Sequence, residues 1–190
     1  MKVVLFNGSP RKNGNTNYCL NIVKEELELE GIDCELVWIG AEKLHGCIAC
    51  YKCGENKDKK CTQMDDKMNV YIAKMIAADG IILGSPTYFS DVSTNIKALI
   101  ERAGSVCRRN GGLLKHKVGA SVVAVRRQGA NHVFSSINYF FLIAEMFVVG
   151  SSYWNLGMGA GPGDVENDEE GIKTFRNLGK NIAFLLKKIK

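Results

Sequence analysis

KVVLFNGSPRKNGNT, residues 2–16, sets the reading of the whole chain. Residues 2–6 form a short apolar, β-branched run that reads as a buried strand. Residues 7–16 then break the pattern with two glycines, a proline and a row of hydroxyl and amide side chains. Asn15 opens an apolar-periodic stretch, so a helix starts where the polar loop ends, with Gly31 as its stop. A strand running through such a loop into a helix N-terminus makes an anion cradle. Gly8 and Gly14 let the chain bend, Ser9, Asn15, Thr16 and Asn17 bring donors, Arg11 brings a fixed charge, and the first-turn amides add the helix dipole. No Lys precedes Thr16, so the loop is not a Walker phosphate loop, and it lacks the G-x-G-x-x-G of a dinucleotide site. A monophosphate fits best. A glycine-rich connecting turn with a helix cap is the bland alternative.

The same alternation continues outward. Strands are expected at 34–39 (CELVWI), 80–86 (GIILGSP) and 117–125 (KVGASVVAV), with helices at 15–30, 65–78, 93–106 and 168–189. A long apolar helix over 131–149 is expected to run into a fifth strand. Apolar strands alternating with helices mean a parallel sheet covered on both faces. The expected fold is therefore α/β, a doubly wound five-stranded sheet of the flavodoxin-like type in three layers, forming one domain over 1–190 with a cysteine-rich insertion at 44–64. Ligands of such sheets bind at the carboxyl ends of the strands.

Two more loops leave that edge. GSPTYFSDVSTN (84–95) stiffens at Pro86 and exposes Tyr88 and Phe89, aromatics suited to a planar heterocycle, unless the rings simply cap the core. RRQGANH (126–132) ends a buried strand with Arg126 and Arg127, and Gly129 permits close backbone approach. GMGAGPGDVENDEEG (157–171) reads as a nearby flap or an inter-subunit loop.

Composition bounds the rest. The 190 residues carry a net charge of +5, 46% hydrophobic and 24% charged residues, an ordinary globular balance. That charge is too weak to argue for nucleic acid. No segment reaches eighteen apolar residues and the N-terminus is not a signal peptide, so neither membrane nor export is expected. The expected compartment is the cytoplasm, where the seven cysteines read as metal-binding or redox groups rather than a disulfide framework.

Taken together, GSPRKNGNT, GSPTYFSDVS, RRQGA and GPGDVENDEEG resemble the NADPH-dependent FMN reductase group of flavodoxin-like proteins over most of the chain. That resemblance implies non-covalent FMN. Ser9, Arg11, Asn15, Thr16 and Asn17 would hold its phosphate; Pro86, Thr87, Tyr88 and Phe89 would line the isoalloxazine; Arg126, Arg127, Gln128 and Gly129 would approach the ring. The flavin does the chemistry, so no protein residue is expected to act as catalyst.

GCIACYKCGENKDKKC (46–61) spaces Cys47, Cys50, Cys53 and Cys61 as C-x2-C-x2-C-x7-C. The first three match the tight run of bacterial [4Fe–4S] sites; the fourth departs from it and is followed by Thr62 rather than Pro. The motif is closer to that of the iron–sulfur flavoproteins of the same group, and this resemblance implies that all four cysteines ligate one cluster, at the sheet edge of the FMN phosphate and across a subunit interface from flavin. Zinc, reduced metal-free thiols and a thiol-based sensor are the competing readings. His45 and ENKDKK read as loop, the lysines as an attraction for an acidic partner. Cys19, Cys34 and Cys107 read as buried fillers.

The function expected is an FMN-binding oxidoreductase passing electrons from NAD(P)H, or a reduced carrier, through flavin to a small-molecule or protein acceptor, with a [4Fe–4S] cluster as a further stop. A non-enzymatic flavin electron carrier or cysteine-based redox sensor is the alternative class. A homodimer or homotetramer is expected to cover the flavin, with YFFLIAEMFVVG (139–150) offering the apolar surface.

Overall fold

Alternate residues of each strand face opposite ways, and here both faces are apolar. The computed structural model describes residues 1–190. Its strands are β1 (Lys2–Asn7), β2 (Asp33–Trp38), β3 (Gly80–Pro86), β4 (Val118–Val125), β5 (Phe147–Val148) and β6 (Leu156–Met158). Its helices are α1 (Asn15–Leu29), a short α2 (Lys52–Asn56), α3 (Met68–Ala77), α4 (Thr94–Arg109), α5 (Ala130–Ile143) and α6 (Glu169–Ile189), with a 3-10 turn at Asp164–Asn167. Every ladder is parallel and the order is β2-β1-β3-β4-β5, the flavodoxin-like order.

Val3 and Leu5 of β1, Ile82 of β3 and Val122 of β4 pack under α1 and α6. Their neighbours Val4, Phe6, Ile81, Leu83 and Val123 pack under α3, α4 and α5. Two apolar layers thus sandwich the sheet, which is the three-layer arrangement expected. Gly84, at the end of β3, lets α1 come close: a Cβ there would stand 2.5 Å from Leu20 Cδ1.

Register sets the strand ends side by side. Asn7 lies opposite Trp38 and Gly84, and Pro86 opposite Ala124. The ladder even continues into the loops, with Gly8 N–H donating to Gly84 O and Thr87 N–H to Ala124 O. Helix and strand boundaries fall within a few residues of those expected, apart from the fifth strand.

There the expectation of one long helix over 131–149 running into a single strand is corrected. The helix stops at Ile143, and the fifth position is built in two pieces. β5 pairs with the start of β4 and β6 with its end. Between them residues 150–154 leave the sheet, and the Asn155 side chain donates to Ser121 O at 3.0 Å, supplying the bond the strand would have made. An orphaned carbonyl at this depth would cost about 1–3 kcal/mol. The detour carries Tyr153 and Trp154 to the surface beside Phe134 of α5.

Gly84→Ala is expected to destabilise the fold by about 1–3 kcal/mol, the usual cost of overpacking, because Leu20 is fully buried. Urea unfolding of the variant against the parent chain checks it; an unchanged midpoint would mean that α1 yields freely.

Candidate functional site

Asn7, the last residue of β1, is buried and organises the loop that follows. Its Oδ1 accepts from the Ser9 N–H at 3.0 Å, and its Nδ2 donates to Lys12 O at 3.2 Å and to Asn17 Oδ1 at 3.3 Å. From the β2 side, the Trp38 indole N–H donates to Ser9 O at 2.8 Å. Gly40 lies so close that a Cβ there would stand 1.8 Å from the same oxygen. The loop is therefore clamped from both flanks. Inside it the Arg11 N–H donates to Ser9 Oγ at 3.2 Å. No side chain caps α1, so its first-turn amides keep their anion-binding capacity.

A cavity of about 110 Å³ opens there, lined by Ser9, Arg11, Asn15, Thr16, Pro86, Thr87, Tyr88 and Arg126 together with Gly159 and Ala160. It is smaller than a whole-ligand pocket and of a size for a phosphate ester. Buried Thr87 Oγ1 has no hydrogen-bond partner within the chain, so the cavity wall has an unmet polar group for a ligand to satisfy. The Asn15 side chain is engaged elsewhere. Its Nδ2 donates to Gly161 O at 2.9 Å and its Oδ1 accepts from the Gly163 N–H at 2.8 Å, so Asn15 offers an anion its backbone amide. The late glycine-rich segment thereby becomes a strap over the cradle.

The remaining predicted residues lie outside this cavity's lining. Phe89 and Ser90 occupy the tip of a tight turn closed by reciprocal Tyr88–Asp91 bonds, both with positive φ, and the Phe89 ring is fully exposed. Gly129 packs on that turn at Ser90. Arg127, Gln128 and Gly129 line a neighbouring cavity of about 380 Å³, shared with Tyr153, Trp154 and Asp168. The third loop is thus divided between two cavities, which its sequence did not signal.

The second candidate site belongs to the cysteine loop. Cys47, Cys50, Cys53 and Cys61 all line one cavity of about 250 Å³ against α4. No three His, Cys, Asp or Glu side chains in the chain close on a single ion. The thiols instead surround a space far larger than one ion needs. Four of the chain's eight non-glycine residues with positive φ fall in this loop: Ala49, Tyr51, Lys57 and Lys59. Each costs of order 1–3 kcal/mol. The bond from Thr62 draws the Cys50 thiol below its ordinary pKa, whereas burial raises that of Cys53. Burial also pushes Cys34 and Cys107 up to about 12 and raises Cys19 further. Those three are poor nucleophiles, as fillers should be, although Cys34 is only half-buried because β2 is an edge strand.

What holds the loop is a residue that composition did not flag. Arg102 of α4 is 1% exposed. Its Nε donates to Cys61 Sγ at 3.3 Å, Nη2 to Gln63 O at 2.8 Å, and Nη1 to His45 O at 3.3 Å and to Asp66. The Asp66 side chain is 3% exposed. A signal was available: Arg102 falls on the stripe of Ile96, Leu99, Ala103 and Val106, the buried face of α4. Asn110 beyond that helix donates to Cys53 O at 3.0 Å, Glu101 accepts from the Cys47 N–H at 3.3 Å, and Arg109 stacks on Tyr51.

These anchors correct one expectation. The loop leaves β2 at the carboxyl edge of the sheet, but its cysteines pack against residues 102–109 of α4 and Asn110 just beyond it, whereas the loop after β1 meets Ser93 and Ile96 at that helix's start. At about 1.5 Å per residue the separation along the axis is roughly 10–20 Å. The two sites share a helix, not an edge.

A family model described as NADPH-dependent FMN reductase matches residues 1–161. An iron-sulfur flavoprotein of Methanocaldococcus jannaschii is 41% identical over 197 residues, covering 100% of both chains. One of Methanosarcina thermophila is 33% identical over 191 residues, covering 100% of this chain and 97% of its own. Among solved structures, a flavodoxin, WrbA-like protein of Agrobacterium tumefaciens superposes with a TM-score of 0.70 at 18% identity, covering 100% of this chain and 98% of its own. An NAD(P)H:quinone oxidoreductase of Methanothermobacter marburgensis gives 0.70 at 14% identity, with 96% of each chain covered. At such identities the last two speak for the fold.

Burial raises the Asp66 pKa, but the Arg102 bond and the Met68 and His45 amides outweigh it and hold the carboxyl below its usual value. A depressed folded pKa stabilises above the unfolded value and is lost as pH falls through the folded one. The stability advantage of the parent chain over Asp66→Asn should therefore be level at neutral pH and shrink from about pH 4 downward. Denaturant titrations across that range measure it; an advantage independent of pH would contradict the pairing.

Proposed function

Because the chain belongs to the NADPH-dependent FMN reductase family, with relatives named iron-sulfur flavoproteins, we propose that it is an FMN-dependent oxidoreductase, one flavodoxin-like domain over residues 1–190, that takes electrons from NAD(P)H or a reduced carrier and delivers them to a small-molecule or protein acceptor. The observation that carries this reading is the clamped loop at the end of β1. An uncapped helix start, Ser9 and Arg11 meet there around a cavity of phosphate size.

In this reading the amides of residues 15–17, with Ser9, Thr16 and Arg11, hold the FMN phosphate, and Asn17 and Asn15 keep loop and strap in shape. Thr87 Oγ1 gains the partner it lacks. Pro86, Tyr88 and Phe89 line the ring on one side of the edge and the loop of Arg126, Arg127, Gln128 and Gly129 on the other. Cys47, Cys50, Cys53 and Cys61 hold a [4Fe–4S] cluster, whose bonds offset the strain of the loop. FMN supplies exchange between two-electron and one-electron carriers, and the cluster supplies single-electron carriage. The protein supplies position and electrostatics.

The roughly 10–20 Å between the two sites along α4 favours a homodimer or homotetramer in which a second copy brings its flavin to this cluster. Tyr139, Leu142 and Ile143 of α5 are exposed, next to a groove of about 680 Å³ between α4 and α5. No helix is long and apolar enough to cross a membrane, and free thiols in this number suit the reducing cytoplasm.

The chain should purify without oxygen with flavin absorption and about four iron per chain, and should oxidise NAD(P)H when given free flavin or quinone. Flavin without iron would leave a flavin reductase with redox-active or idle thiols. Flavin without NAD(P)H turnover would leave an electron carrier. No FMN uptake at all would end the proposal. Arg11→Ala should weaken FMN binding about tenfold or more, since a charge-assisted bond of about 1.5–3 kcal/mol is lost; fluorescence titration of the flavin reads it.

A further inference from the structure

The four thiols are not held alike. Cys47 Sγ faces the Ser105 hydroxyl at 3.7 Å and Cys50 Sγ faces that of Thr62 at 3.6 Å. Cys61 Sγ instead receives the Arg102 Nε–H at 3.3 Å and, more weakly, the Gln63 amide at 3.9 Å. Of these donors only Arg102 carries a charge, and it is the largest fully buried side chain in the protein. A guanidinium held there by three more bonds cannot swing away, and low surrounding dielectric strengthens its field.

We propose that Arg102 is a positioning residue that acts through Cys61 to raise the reduction potential of the cluster, with Asp66 as the counterweight that moderates it. The proposal rests on the cluster reading above. Reduction adds one negative charge to the cluster and its sulfurs. A buried cation and its N–H on one of those sulfurs stabilise that added electron, and hydrogen bonds and net charge at the sulfurs are established determinants of such potentials. Asp66 acts with opposite sign. It meets the fork at Nη1, away from the Nε that touches sulfur, so the guanidinium is the nearer charge and its effect dominates.

Two substitutions separate tuning from scaffolding. Arg102→Met alone would strand the buried Asp66 carboxylate, so it is paired with Asp66→Asn. Where the double variant holds iron, the midpoint of its cluster should fall by at least 59 mV, a tenfold change in a one-electron equilibrium. Asp66→Asn alone leaves the guanidinium unbalanced and should move the midpoint upward. Potentiometric titration of the anaerobic holoproteins, followed by absorption and electron paramagnetic resonance, reads both. Midpoints that stay put, or that move in the same direction, overturn the proposal while leaving the cluster in place. Should the double variant fail to hold iron, Asp66→Asn decides alone, and an unmoved or lowered midpoint overturns it. A parent chain that binds FMN but never iron removes the cluster reading, and this proposal with it.

Discussion

A parallel sheet buried on both faces forces every strand to end on the same edge. In this chain that constraint governs almost everything else. Asn7, Trp38, Gly84 and Ala124 stand in register or nearly so, so the loops that follow them must crowd together. Crowding then dictates their chemistry. The turn after β1 can tolerate no bulk at Gly40 on its flank, the Trp38 indole must find an acceptor and takes Ser9 O, and Asn7 must satisfy a buried amide and does so by bracing the loop. The braced loop then runs into a helix start that no side chain caps, leaving its amides free to meet an anion.

The cysteine loop obeys a different rule. Nothing in the sheet requires it, and four of its residues sit in left-handed backbone. It is held from outside, by the C-terminal half of α4. Arg102 joins residues 45, 61, 63 and 66 through one planar fork. Lysine has no such fork and would hold fewer of them. The buried ion pair with Asp66 need not add net stability; it ties the end of the loop to α4.

The two sites meet through α4. Its first turn meets the loop after β1 at Ile96, and its later turns wall the cysteine cavity. A single rigid helix thereby sets the distance between them. The exposed aromatic and aliphatic side chains of α5, the turn at Phe89, and the detour carrying Tyr153 and Trp154 are all surfaces that a second body can use.

Continuous apolar runs, helical stripes and glycine stops made the covered parallel sheet and its layers legible, because burial on both sheet faces leaves no room for polar residues at those positions. The polar loop between β1 and α1 was legible for a related reason: small residues and donors gathered at one helix start are local in sequence. The fifth strand was not. Phe147 and Val148 read on from α5 because an apolar helix and an apolar strand look alike when short, and only pairing with β4 splits the position in two. Arg102 stood in plain view on an apolar stripe, yet its partners lie 36 to 57 residues away, and no local pattern carries contacts of that span. By itself, then, the sequence determined the sheet and its covering layers, products of short-range periodicity, and set the polar loop between β1 and α1. Tertiary structure alone decided which face of α4 receives the cysteines and which way the third loop divides, since both depend on where distant segments find their hydrogen-bond partners.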